Sequence, residues 1–166
     1  WSSDVCSSDL EGHAWGAGLK AAGSVDSPAF ALGAGVRVRA TERWAFGLDG
    51  EWNPFVSLTG DPIRAGTANF YATAMLRFPL AFEPLDLRTA VSFGTSVLLT
   101  DLYGAPDRSV GLYAALDPLS LEYEATRVVH LIVSPIGIAI PAPQLEGVPF
   151  VYVQYRFSLG LEFYAR

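Results

Sequence analysis

The chain has 166 residues, of which 51% are hydrophobic and only 17% are charged, and its net charge is −6 at pH 7. This length suits a single domain, and the mildly acidic balance excludes the basic surface that a nucleic-acid-binding protein needs. The only cysteine is Cys6, so an intramolecular disulfide and a multi-thiolate metal site are excluded.

The first ten residues, WSSDVCSSDL, have neither strand nor helix periodicity and resemble a translated short-read sequencing adapter. We expect residues 1–10 to be a non-native scar and residues 11–166 to form one β-barrel domain. Without Asp4 and Asp9 the net charge becomes about −4. We also expect the scar to hide the native N-terminus, together with any signal peptide.

Alternation of apolar and polar residues predicts eight β-strands along the rest of the chain. They cover approximately residues 13–22, 30–40, 44–58, 67–80, 85–99, 110–126, 128–145 and 151–165. The first is weak, the sixth alternates only in its second half, and the seventh is apolar on both faces and contains Pro135. An even number of strands favours an antiparallel up-and-down meander.

The connections between these strands alternate in length. VDSP, TGDPIRAG, DLYGAPDRS and APQLEG follow strands 1, 3, 5 and 7, whereas the other connections, around TER, FEP and ATR, are shorter. These segments are rich in the residues that form turns. In a closed barrel the four longer loops would therefore emerge at one end, with both termini at the other.

Alternation alone fits two opposite barrels. A soluble lipocalin-like carrier of an apolar ligand has its apolar faces inside, whereas a membrane barrel has them outside. The polar faces here combine Gly, Ser and Ala with singly placed charges, and Lys20 is the only lysine. The apolar faces run six or seven residues without interruption, close to the length of a tilted membrane-spanning strand. Both observations favour the membrane barrel.

Aromatic residues recur at a spacing that fits a membrane. Three pairs lie eight positions apart on the apolar face of one strand, which corresponds to roughly 20 Å along a barrel axis at ~3.3 Å rise and about 40° tilt. This is close to the ~25 Å apolar band between the aromatic girdles of membrane barrels. The predicted membrane-interface aromatics are Trp44, Trp52, Phe70, Phe78, Tyr155 and Phe163.

The last segment, VYVQYRFSLGLEFYAR, resembles the closing strand of Gram-negative outer-membrane barrels. In those proteins the barrel insertion machinery reads a terminal aromatic, which would match Phe163 or Tyr164, although the final Ala-Arg departs from the usual ending. The whole pattern resembles small barrels of the OmpA, OmpX and OmpW type. The resemblance implies an eight-stranded transmembrane β-barrel in the cell outer membrane, monomeric and porin-like, with outer-membrane lipids and the insertion machinery as partners.

Charged residues on the polar faces predict a lumenal network of ion pairs that closes the barrel, since an unpaired buried charge is very costly. The predicted network comprises Arg37, Arg39, Asp49, Glu51, Arg77, Asp86, Arg88, Glu122, Glu124, Arg156 and Glu162. Strands 2 and 3 are adjacent, so we expect their two arginines and two carboxylates to meet at the centre of the lumen.

The sequence offers little support for catalysis. Its two histidines are His13 and His130, and Ser134 follows the second on the same face of its strand, about 13 Å away. That distance is too long for a Ser-His nucleophile pair. No metal, phosphate or nucleotide motif occurs. We therefore expect no enzymatic activity, no cofactor and no bound metal.

The predicted function is that of an integral outer-membrane barrel with a structural or loop-mediated interaction role. Two alternatives remain open. In one, small hydrophobic molecules pass through the barrel wall near the apolar run at 128–145, as in OmpW-like barrels. In the other, the chain is the soluble lipocalin-like carrier.

Overall fold

The computed structural model describes residues 14–24, 30–54, 65–82, 84–100 and 109–165. The adapter-like residues 1–10, His13, Arg166 and most of the first three longer loops lie outside the described residues. The scar at residues 1–10 and the boundary of the domain therefore stay predictions.

Ten β-strands make up the regular structure of the described residues. They are β1 (Ala14–Ser24), β2 (Phe30–Arg39), β3 (Trp44–Pro54), β4 (Ala65–Pro79), β5 (Leu85–Thr100), β6 (Val110–Glu124), β7 (Val129–Ala142), β8 (Gln144–Leu145), β9 (Val148–Pro149) and β10 (Gln154–Ala165). Eight of them close into a barrel in the order β1-β10-β7-β6-β5-β4-β3-β2, with every pair antiparallel. The predicted eight-stranded antiparallel up-and-down barrel is confirmed.

Among the described residues, no helix is long and apolar enough to cross a membrane.

The barrel wall is apolar outside and polar inside. Successive side chains of a strand point to opposite faces, and on β10 Leu159 is 51% exposed while its neighbour Ser158 is 3% exposed. Among the described residues, most of the larger buried side chains are polar or charged, and the buried apolar residues include two small clusters, around Met75 and around Tyr113. A lipocalin-like carrier needs the reverse arrangement, so the structure contradicts that alternative.

Three short turns lie at one end of the barrel, between β2 and β3, β4 and β5, and β6 and β7. Thr41 Oγ1 accepts a hydrogen bond from Trp44 N at 2.9 Å, and Thr126 Oγ1 accepts one from Val129 N at 3.0 Å. Such hydroxyl-to-backbone bonds fix tight turns. We call this the short-turn end, which also holds the start of β1 and the end of β10, and we call the opposite end the loop end.

Strand β7 changes face at Pro135. Ser134 pairs with Ser158 of β10, whereas Gly137 pairs with Arg156, so β7 has one extra residue between these pairs. A proline lacks the N–H of a regular ladder and is tolerated at such a bulge. Inward side chains therefore fall on even positions before the bulge and on odd positions after it, which explains why the segment appears apolar on both faces.

Strand β6 has a matching irregularity. On β5, Arg88 pairs with Ser120 and Ala90 pairs with Asp117, so β6 also contains an extra residue. The inward positions change from odd numbers at Tyr113 and Asp117 to even numbers at Ser120 and Glu122. Regular alternation is consequently visible only in the second half of this strand.

The connection from β7 to β10 is a β-hairpin that continues the barrel wall. Phe150 N donates to Pro143 O at 2.8 Å, Tyr152 N donates to Pro141 O at 3.3 Å, and β8 pairs with β9, all in the register of the ladder below. The turn is formed by Glu146 and Gly147, whose φ angles are 51° and 86°. Positive φ at both central residues is typical of the tight turn that joins twisted strands.

Candidate functional site

The barrel interior holds the largest group of chemically active side chains among the described residues. Ten of the eleven predicted network residues point into it and form ion pairs. They are Arg37, Arg39, Asp49, Glu51, Arg77, Asp86, Arg88, Glu122, Arg156 and Glu162. Glu124 departs from the prediction, since β6 ends there and its side chain is exposed at the rim of the short-turn end.

Glu122 is the centre of a cluster near the short-turn end. Arg77 donates to both of its carboxylate oxygens, at 2.8 and 3.0 Å, and also bonds Asp86 at 2.6 Å. Arg88 lies 3.8 Å from the same carboxylate, and His130 Nδ1 lies 2.9 Å from it. Neighbouring strands supply these groups because they leave the short turns side by side. We call these residues, together with Glu162 and its partners, the lower cluster.

Glu162 of β10 joins two arginine-bearing strands, β2 and β5, within the lower cluster. Arg88 contacts its carboxylate at 2.9 Å and Arg37 at 3.3 Å, while Arg37 also contacts Asp49 at 2.7 Å. Tyr164 donates its hydroxyl to Glu162 at 2.7 Å. A carboxylate with several charge-assisted donors is rigidly held, so this part of the interior is cross-linked from β2 through β10 to β5.

Arg39 closes the lower cluster from one side. Its guanidinium lies 4.6 Å from the centre of the Tyr164 ring and 3.6 Å from Glu122. Stacking of an arginine on an aromatic face is favourable. Its Nε and Nη2 atoms are buried and have no hydrogen-bond partner among the described residues.

A second cluster, the upper cluster, lies nearer the loop end around Glu51. Arg156 contacts this carboxylate at 2.9 Å, and Asn69 and Tyr71 donate to it at 3.1 and 3.3 Å. Arg156 also bonds Gln154 and donates to Tyr113 Oη at 3.2 Å. The rings of Tyr71 and Tyr113 stack with centres 4.6 Å apart.

That tyrosine stack depends on Gly94. Gly94 pairs with Tyr71 on one side and with Tyr113 on the other, so it lies on the strand between the two rings. A Cβ at this position would lie 2.0 Å from Phe70 O and 2.5 Å from Tyr71 Cα. The glycine therefore permits the close backbone approach that the stack requires.

Between the two clusters lies a small polar chamber of about 40 Å³. Most of its lining residues are small or hydroxyl-bearing, and an ion pair of 3.2 Å between Lys20 and Asp117 borders it. The chamber's volume corresponds to a few water molecules. It cannot accommodate an apolar ligand of appreciable size.

The charges of the described interior balance. Six cationic side chains face six carboxylates in ion pairs of 4 Å or less. The cations are Lys20, Arg37, Arg39, Arg77, Arg88 and Arg156, and the anions are Asp49, Glu51, Asp86, Asp117, Glu122 and Glu162. A balanced interior avoids the cost of unpaired buried charge.

The expected meeting of Arg37 and Arg39 with Asp49 and Glu51 occurs only in part. Arg37 does pair with Asp49, but Glu51 pairs with Arg156 of β10, and Arg39 reaches Glu122 on β6. In a narrow barrel long side chains cross the lumen as easily as they reach the neighbouring strand. The adjacency of β2 and β3 therefore predicts the Arg37–Asp49 pair correctly, but it does not predict the partners of Arg39 and Glu51.

His130 and Ser134 are not brought together. The imidazole lies against Glu122 and edge-on to the ring of Tyr164, while Ser134 Oγ lies 2.7 Å from Ser120 Oγ. The two residues therefore have separate partners. Among the described residues there is also no group of three or more His, Cys, Asp or Glu side chains that could hold a metal ion.

All six predicted interface aromatics lie on the outer wall and are exposed. Trp44, Phe78 and Phe163 lie toward the short-turn end, whereas Trp52, Phe70 and Tyr155 lie toward the loop end. Phe163 points outward, whereas Tyr164 is buried in the lower cluster.

Several residues of the interior were missed from the sequence. Tyr71, Tyr164 and Gln154 lie on the polar faces of their strands but carry no charge, so a search for ion pairs passes over them. Tyr113 lies before the bulge in β6, so the alternation of the second half of the strand does not show that it points inward. Asp117 was missed because the bulge in β6 reverses its face. Position on a polar face was the available signal for the first group.

No protein-family model and no curated protein sequence matches the chain. Solved structures do match it. Neisserial surface protein A is 16% identical with a TM-score of 0.64, covering 91% of this chain and 94% of that one. The N-terminal β-barrel domain of Pseudomonas aeruginosa OprF is 9% identical with a TM-score of 0.61, covering 92% and 97%. A designed transmembrane β-barrel is 9% identical with a TM-score of 0.57, covering 92% and 95%. The chain thus has the closed-barrel fold of small bacterial outer-membrane proteins.

Proposed function

We propose that the chain is an integral protein of the outer membrane of a Gram-negative bacterium, with a structural or loop-mediated interaction role and a lumen closed by ion pairs. One observation carries this proposal: the wall is apolar and exposed outside, while the interior holds mutually paired charges. Such a distribution is favourable only where hydrocarbon surrounds the barrel. The outer-membrane proteins among the structures of similar fold support the location.

Closure of the lumen is supported by the two clusters. The lower cluster links β2, β4, β5, β6, β7 and β10 across the interior, and the upper cluster links β3, β4, β6 and β10. The chamber between them has a volume of only about 40 Å³. Eight-stranded barrels have interiors just wide enough for side chains to fill. A permanent wide channel is not compatible with this packing.

Passage of hydrophobic molecules stays a second prediction with less support. Strand β7 is irregular on both sides, and its ladder with β6 shifts register around Leu119. The chamber behind this part of the wall is nevertheless lined by hydroxyl groups and by the Lys20–Asp117 pair. An apolar molecule would have to displace these polar groups from their partners.

The proposal is tested by the electrophoretic mobility of residues 11–166, refolded in detergent and loaded either unheated or boiled. A membrane barrel keeps its closed hydrogen-bonded wall in the unheated sample, so the two bands should differ in mobility. Folding should also require detergent or lipid. A protein that folds as a soluble monomer in plain buffer, with identical bands, would contradict the proposal.

A further inference from the structure

Among the described residues, the strands on one side of the barrel are longer than those on the other. Strands β4 to β7 have 14 to 16 residues, whereas β1 to β3 have 10 or 11. Tilted strands of about 9–11 residues are sufficient to span a bilayer. The β7–β10 hairpin adds further length on the side of the longer strands.

The outer face of this hairpin continues the apolar wall as far as Gln144, next to the turn, without a change of face. Tyr155, Val153 and Val151 follow one another at two-residue spacing on the β10 side, all exposed, and Ile140 lies on the β7 side. The register is constant from the bulge to the turn, so these positions stay on one face. Glu146, at the tip, is the only charged residue between His130 and Arg156.

The length of this face can be compared with the membrane. From Phe163 to Val151 there are twelve residue steps, which at ~3.3 Å rise and about 40° tilt cover roughly 30 Å along the barrel axis. The apolar band of a membrane barrel is ~25 Å tall. Val151 therefore lies roughly 10 Å above Tyr155 along the barrel axis, and roughly 5 Å beyond an apolar band of ~25 Å that begins at Phe163.

We propose that the outer face of the β7–β10 hairpin, formed by Ile140, Val151 and Val153, is covered by acyl chains of the surrounding lipid. This inference rests on the proposed membrane location. Two observations indicate that lipid covers this face. It is continuous with the face below Tyr155, which is the part of the wall that faces hydrocarbon, and it carries no charged side chain. A bilayer accommodates a taller apolar wall by local thickening or by tilting of the barrel.

The opposite face of the hairpin provides an internal control. Leu145, Val148 and Phe150 lie on the side turned toward the barrel axis, which is also the side of Tyr152, whose hydroxyl lies 3.3 Å from Thr67 Oγ1. Val148 and Val151 are both valines and similarly exposed, at 68% and 60%. They differ in the face on which they lie.

The test measures the environment of single nitroxide labels by electron paramagnetic resonance. In a Cys6→Ser background, one cysteine is introduced as Val151→Cys, Val153→Cys or Val148→Cys, and the refolded full chain is placed in dioleoylphosphatidylcholine vesicles. Leu159→Cys serves as the lipid reference and Glu146→Cys as the aqueous reference. Oxygen concentrates in hydrocarbon and a nickel chelate in water, so the ratio of their collision rates reports the environment.

We expect labels at Val151 and Val153 to resemble Leu159, with an oxygen-to-chelate ratio about tenfold above that at Glu146, because a polar chelate is excluded from hydrocarbon. The label at Val148 should resemble Glu146.

If one of the two outer-face variants fails to refold, the other carries the test. Values at Val151 and Val153 that match Glu146, with Leu159 still in lipid, would overturn the inference and leave the proposed function intact. Protection from both reagents would indicate a protein cover and would also overturn it. An aqueous value at Leu159 would overturn both proposals.

Discussion

Among single residues of the described interior, Glu122 is the carboxylate that contacts the most arginine and histidine side chains. It lies 1% exposed on β6 and contacts Arg77, Arg88, Arg39 and His130. Removing one member of a buried ion-pair network leaves its partners uncompensated in a medium of low dielectric constant, which costs more than the pair itself contributes. Loss of the Glu122 carboxylate should therefore lower the free energy of unfolding by more than the loss of its hydrogen bonds alone.

We expect Glu122→Gln to lower the free energy of unfolding by about 3 kcal/mol, because it leaves Arg77 and Arg88 with less negative charge around them. Guanidinium unfolding of the refolded protein in detergent, followed by tryptophan fluorescence, measures this. Glu124→Gln is the matched control, since that side chain is exposed at the end of the same strand, and it should change stability by less than about 0.5 kcal/mol. Equal losses in the two variants would show that Glu122 has no special role.

Gly94 lies at a point in the wall that leaves no room for a larger side chain. We expect Gly94→Ala to destabilise the barrel by about 1–3 kcal/mol, because the added methyl group would meet the backbone of Phe70 and Tyr71. Separation of the two tyrosine rings should also weaken the near-ultraviolet circular dichroism. Gly160→Ala is the control, since the nearest atom to a Cβ there is Ile132 Cβ at 3.4 Å. A Gly94 variant as stable as the Gly160 variant would argue against the close approach.

Among the strands, those that alternate regularly could be assigned an inward and an outward face from the sequence, whereas those with a bulge could not. Strands β2 to β5 and β10 alternate regularly, and their inward and outward faces follow directly from the residue order. Strands β6 and β7 do not, because each contains a bulge that moves later residues to the other face. A bulge depends on pairing with a neighbouring strand rather than on a local sequence signal, so Asp117 and the β7–β10 hairpin could not be placed from the sequence alone.

The alternation of β10 gives a test at two adjacent residues. We expect Leu159→Arg to reduce insertion into vesicles strongly, because an arginine on the lipid face near mid-membrane costs ~2–4 kcal/mol. Ser158→Ala on the inner face should cost less than about 1 kcal/mol. The measured quantity is the fraction of protein that becomes heat-modifiable on gels after refolding. Comparable insertion of both variants would mean that the two faces see the same environment.

In the whole molecule, side chains of the described residues cross the lumen at two levels. The upper and lower clusters each cross the interior, and the small polar chamber lies between them. The existence of a charged lumen could be predicted from the polar faces of the strands. Its division into two clusters could not, because that depends on which long side chains reach across the barrel, as Arg39 does to Glu122.

We expect the protein to show no sustained open-pore conductance in planar bilayers, because ion pairs fill both ends of the lumen. The double variant Glu51→Ala, Arg156→Ala removes the central pair of the upper cluster but leaves the lower cluster in place, so it should remain closed. Sustained conductance of the unaltered protein would contradict closure. Conductance of the double variant alone would show that the upper cluster is the only barrier.

The seam between β1 and β10 has a consequence for the order of assembly. Seven of the eight strand pairs of the barrel join consecutive barrel strands, whereas the seam pairs Trp15 with Ala165 at the two ends of the chain. Pairings that are distant in sequence form late, because their loop must be ordered before they contribute. We therefore expect the hairpins of consecutive strands to form first and the pairing of β1 with β10, which closes the barrel, to form last. Before this pair forms, β1 and β10 are unpaired edge strands to which another chain could add. The rate of barrel closure therefore decides whether the chain reaches the closed barrel or aggregates.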